Sequence, residues 1–144
     1  MARVERVNGD PHFLGKVVAV VLFGSMVKAE VHRPSDVDIA VEIVPKEADP
    51  ERARAKNERR AQELEAKGHR FRGILDRYVC WYREVFTHLK GRSRVVSLVD
   101  LRREGEIVWP APHQILYKAK GWKPYAPPAP PVVHPAPHVD DCPF

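Results

Sequence analysis

Val17 to Phe23 is apolar without interruption and rich in β-branched residues, which predicts a central strand covered on both faces. A second strand is predicted over Asp36–Val44. There Val37, Ile39, Val41 and Ile43 alternate with Asp38, Ala40 and Glu42, so the aliphatic side chains share one face and the acids the other. Pro45 and Pro50 bracket a break. Residues 51–67 are strong helix formers with Leu64 as their one large apolar side chain, the pattern of an exposed, charge-laced helix with a thin Ala stripe. Gly68 ends it. Leu75, Tyr78, Val79, Tyr82, Val85, Phe86 and Leu89 then recur at spacings of three and four, which predicts a core-facing amphipathic helix within Phe71–Lys90. Gly91 closes that helix. Arg94–Leu101 reads as a third strand, ending on Asp100. Gly105 reads as a turn, Glu106–Trp109 as a short edge strand stopped by Pro110 and Pro112, and Gln114–Lys118 as another short piece. Residues 1–16 are polar and short of periodicity.

An α+β (mixed α/β) fold is expected, a small mixed sheet with helices packed mainly on one face. One domain is expected over residues 1–122, with a helical insertion at about 46–70. From Lys123 onward prolines crowd the chain, so residues 123–144 are expected to be a Pro-rich tail, extended or disordered. His134, His138, Asp140, Asp141 and Cys142 lie in this tail, but their spacing matches no zinc pattern.

The 144 residues carry a formal charge of +5. That balance suits nucleotides, RNA or an acidic protein partner, and it suits plain solubility equally well. The residues 51–67 helix could meet RNA or protein, or could simply be solvated and held by pairs such as Arg59 with Glu63. No aromatic-basic pattern supports RNA recognition. Trp81 and Tyr82 sit at helical spacing, which favours a core role over base stacking. No apolar run reaches the roughly 20 residues of a membrane span. Met1–Arg6 lacks the apolar segment of a signal peptide, and Cys80 and Cys142 form no CxxC pair, so a cytoplasmic setting is expected.

The candidate chemistry lies at Leu22-Phe23-Gly24-Ser25 and, nine residues later, Ser35-Asp36-Val37-Asp38. Alternation along a strand points Asp36 and Asp38 to one face. Two adjacent carboxylates repel, and a divalent cation such as Mg²⁺ relieves that repulsion. Gly24 permits a sharp turn and close approach of a phosphate, and Ser25 adds a hydroxyl. The same Ser-Asp-x-Asp pattern can also be a capped turn alone. Asp100, at the end of an aliphatic strand, calls for a partner or a metal.

The run from Leu22 to Val41 resembles the nucleotidyltransferase superfamily that includes DNA polymerase beta, and in its minimal form the MNT proteins often paired with HEPN toxins. Val99-Asp100-Leu101 looks like the third-acid strand, and Arg103–Trp109 resembles the segment that follows it. The resemblance implies transfer of a nucleoside monophosphate from an NTP, ATP by preference, to an acceptor hydroxyl. It implies Asp36, Asp38 and Asp100 as catalytic and metal-binding residues. Gly24, Ser25, Lys28 and Ser35 would bind the nucleotide, and the three acids would hold two Mg²⁺ ions, set about 3.5–4 Å apart in such sites. It also implies an antitoxin whose acceptor is a HEPN-type protein. Met26 stands where relatives often carry Arg, and Ala29 where they carry Gly. These departures and the added tail motivate one alternative, a non-catalytic partner-binding module on the same fold; a transferase acting on RNA or a small molecule, as in larger relatives, with the Glu51–Lys67 helix against RNA phosphates, is another.

Overall fold

The computed structural model describes residues 1–28 and 36–125. Its centre is a four-stranded sheet in the order β3-β2-β1-β4, from β1 (Gly15–Phe23), β2 (Val37–Pro45), β3 (Val96–Asp100) and β4 (His113–Lys118). β1 runs antiparallel to β2 and β4, and β3 runs parallel to β2. The fold is therefore mixed α+β, as the residue pattern implies.

β1 carries the uninterrupted apolar run because both of its faces are covered. A bulge lies between Val17 and Ala19. Val17 and Val20 enter one core with Val41, Ile43 and Val85, whereas Ala19 and Val21 enter a second with Ala40, Leu101 and Val108. The first core lies under α1 (Ala2–Gly9) and α4 (Cys80–Lys90), and the second under α5 (Leu101–Val108). α2 (Pro50–Ala66) packs on α4 and on α3 (Ile74–Tyr78). Asp49 caps α2, accepting a hydrogen bond from the Glu51 amide at 2.9 Å, and Pro50 opens its first turn.

The structure corrects several expectations. Residues 2–9 form a helix, because Val4 and Val7, three residues apart, are buried on β1. The expected helix within Phe71–Lys90 is two helices broken at Val79, and only the second half of the apolar stripe reaches the core. Leu75, Tyr78 and Val79 are exposed. Trp81 and Tyr82 pack against the core, consistent with a structural role. Glu106–Trp109 is no edge strand; most of it belongs to α5, whose apolar residues meet the second core at helical spacing. Gln114–Lys118 does pair, as β4. Most of the Pro-rich segment, residues 126–144, lies outside the described residues. No helix among the described residues is long and apolar enough to cross a membrane.

Candidate functional site

β1 and β2 are register-matched so that Phe23 lies opposite Asp38. The chain leaves β1 at Gly24 with φ 81°, a conformation glycine adopts readily. It continues as a 3₁₀ turn over Gly24–Val27, with the Lys28 amide donating to the Ser25 carbonyl at 3.2 Å. The Gly24 amide donates to the Pro112 carbonyl at 2.9 Å, so the segment before β4 braces the turn. A Cβ on Gly24 would lie 3.2 Å from Oδ2 of Asp38. The carboxylate is therefore in contact with the turn, and any side chain at residue 24 would crowd it.

Asp38 shares its sheet face with Ala40, which enters the α5-side core, while Ile39 and Val41 face the other core. Asp36 is exposed, directly before β2, and by alternation lies on the Asp38 side. Ser25 and Lys28 are exposed beside the turn, so the hydroxyl and the ammonium stand in solvent. Ser35 lies outside the described residues. The structure thus brings together the Gly24-Ser25 turn and the Asp38 carboxylate, with Asp36 at the open edge.

Asp100 is a different matter. It pairs in register with Val41, while Ser97 pairs with Asp38. The two β3 positions are three residues apart, so they face opposite sides of the sheet. Core packing shows the same: Leu98 joins the α4-side core and Val99 the α5-side core. The Asp100 side chain is fully engaged where it lies. Its Oδ1 accepts from the amides of Arg102 (2.8 Å) and Arg103 (3.2 Å), capping α5, and its Oδ2 accepts from the Tyr82 hydroxyl at 2.7 Å. Burial and that carboxylate hold the Tyr82 phenol well above its ordinary pKa, so it stays a donor. Asp100 thus caps α5 and takes the Tyr82 hydroxyl, at a β3 position that does not face Asp38. Among the described residues no three Asp, Glu, His or Cys side chains form a metal-binding group.

The donor set therefore fits one divalent cation held by Asp36 and Asp38 together with phosphate oxygens. It does not fit a second cation bridged by Asp100. The β3 side chain facing Asp38 is Ser97, exposed and neutral. The residue pattern offered no sign of this, because the β2–β3 register is set by the structure packed between them.

Glu42 was also unmarked by the sequence. It is 5% exposed on the α5 side, and its carboxylate accepts from Arg102 Nε and Trp122 Nε1, both at 2.8 Å. It fastens α5 and the segment after β4 over the sheet. An acid within the otherwise apolar stretch Ile39–Val44 was the available signal.

The sequence model of the nucleotidyltransferase domain family matches residues 5–97, well over half of the chain. The chain belongs to the nucleotidyltransferase domain family. The match spans the turn, both carboxylates and Ser97, and stops before Asp100. No curated protein and no solved structure matches this nucleotidyltransferase domain.

Proposed function

We propose that this nucleotidyltransferase domain binds an NTP, ATP by preference, with one Mg²⁺ at Gly24-Ser25 and Asp36/Asp38. We propose further that it moves the nucleoside monophosphate to a hydroxyl of a protein acceptor, as the antitoxin of a HEPN-type toxin in the cytoplasm. The observation that carries the binding half is the Asp38 carboxylate against the Gly24 turn. There a metal-bound triphosphate can meet the backbone, the Ser25 hydroxyl and two acids together. Bound Mg²⁺ would neutralise charge on the phosphates. In the transfer, the acceptor oxygen bonds to the α-phosphorus, the bond to the bridging oxygen breaks, pyrophosphate leaves and the hydroxyl proton passes to solvent.

A second reading is favoured by Ser97 facing Asp38 and by Asp100 lying on the far side of the sheet. With no third carboxylate in place among the described residues, the domain would neutralise its partner by binding rather than by modification. The two readings separate in one experiment. ATP labelled at the α-phosphate is incubated with Mg²⁺, the domain and the product of the neighbouring gene. Transfer predicts label on the neighbour, lost in Asp36→Asn/Asp38→Asn. Label absent from the neighbour, with neutralisation intact in the double variant, sinks the transfer reading and keeps the binding one. A double variant that still binds Mg–ATP as tightly as the parent refutes the nucleotide site itself.

A further inference from the structure

The apolar ridge on α3 has no cover among the described residues. Ile74 is 74% exposed, Leu75 80% and Tyr78 55%, in one short helix. Isolated apolar side chains on a surface mean little, but a contiguous cluster marks an interaction site. The sequence repeats the point: these residues continue the stripe that buries Trp81, Val85 and Leu89 against the sheet, yet the break at Val79 turns them outward. Beside the ridge is a cavity of about 170 Å³ lined by Leu14, Pro45, Ala53, Tyr78 and Trp81 among others. A cavity near 150 Å³ can admit a group the size of benzene. Ridge and notch together have the form of a protein-docking surface.

The charges around it select the occupant. Arg54 borders Tyr78 and Ile74, and Arg70 and Arg72 stand on the loop leading into α3. Among the described residues, no ion pair engages any of these three arginines. Three nearby carboxylates are already taken, Glu47 by Lys56, Glu58 by Arg77 and Asp76 by Arg83, so that Glu51, one turn before Arg54 on α2, stands against three arginines. The rim is thus positive around an apolar centre. A second copy of this chain would set arginines against arginines, which costs free energy. We propose that this surface binds a partner protein through an amphipathic helix whose apolar face is flanked by carboxylates. The site sits by Leu14 and Pro45, at the opposite end of the β1–β2 pair from Gly24 and Asp38, roughly 25 Å along the strands. This inference goes beyond nucleotide binding and stands without it.

The test uses a designed helical peptide of about five turns, with Leu at spacings of three and four and Glu on both flanks. A control peptide carries Lys in place of every Glu. Amide chemical shifts of the full chain map each contact, and fluorescence anisotropy gives its strength. The Glu peptide should shift the amides of Ile74–Val79 and weaken with salt. Leu75→Glu should reduce its affinity by about tenfold or more, since burying one Leu side chain is worth about 1.5–3 kcal/mol. Leu75 is exposed enough that this variant folds, which a thermal melt verifies. Asp36→Asn/Asp38→Asn should bind as the parent does. Equal binding of the Lys peptide, shifts centred elsewhere, no binding, or a homodimer in sedimentation that Leu75→Glu dissolves would each overturn the proposal.

Discussion

At the scale of single residues, a carboxylate's neighbours decide its role, and its place in the sequence does not. Asp38 lies against a glycine turn with no hydrogen bond to its carboxylate among the described residues, whereas Asp100 has both oxygens taken by two backbone amides and a tyrosine hydroxyl. In the sequence each is an aspartate at the end of an aliphatic strand. What separates them is parity: Ser97, and not Asp100, faces Asp38. Asp100→Asn should therefore leave Mg–ATP affinity unchanged, because asparagine caps helices as well as aspartate does. Ser97→Asp should do the opposite. A third carboxylate beside Asp38 should tighten Mg²⁺ binding, read by calorimetry without any acceptor, and should raise nucleotidyl transfer by about 10²-fold if it also takes the acceptor proton. A loss of Mg–ATP binding in Asp100→Asn would return that residue to the metal site.

At the scale of elements, the periodic pattern located α2 and α4 but missed α1, α5 and the break before α4. The stripe from Leu75 to Leu89 reads as one helix, yet the structure divides it at Val79. The junction is organised by Asn57 of α2, a buried polar residue in a helix whose sequence looks wholly solvated. Its Oδ1 accepts from the Trp81 amide at 3.1 Å and from the Cys80 thiol at 2.9 Å, and its Nδ2 donates to the Arg77 carbonyl at 3.2 Å. Asn57→Leu should cost about 2–3 kcal/mol in urea unfolding, because the amide of Trp81 and the carbonyl of Arg77 lose their partner in a mostly dry site. Cys80 provides a local reading of the same change. Burial first, and then Glu84, push its thiol pKa up, so the native residue should alkylate slowly. In Asn57→Leu alkylation should accelerate; an unchanged rate would show that the junction does not depend on this side chain.

At the scale of the whole molecule, ion pairs help tie α2 to its surroundings, and that attachment has a pH signature. Hydrogen bonds from Lys56 and from Arg77 hold the Glu47 and Glu58 carboxyls below their ordinary pKa of 4.5. A depressed folded-state pKa contributes stability above the unfolded value and loses it as pH falls through the folded value. Glu47→Gln/Glu58→Gln should thus melt below the parent at neutral pH, and the gap should close as pH drops from about 4.5 towards 3. A gap that stays constant down to pH 3 would mean that these pairs do not stabilise the fold. The sequence by itself determined β1 to β4, beside one strand at Glu106–Trp109 that does not form, and the Gly24 turn, the Asp36/Asp38 pair and the family, because apolar run, alternation and turn chemistry are local properties of adjacent residues. Tertiary structure decided which acid faces which. Fifty residues separate β2 from β3, so no local pattern sets their register, and a shift of one residue would exchange the faces of Ser97 and Asp100. It also decided which part of the amphipathic stripe is buried, because the sheet offers α4 a partner and leaves α3 to solvent.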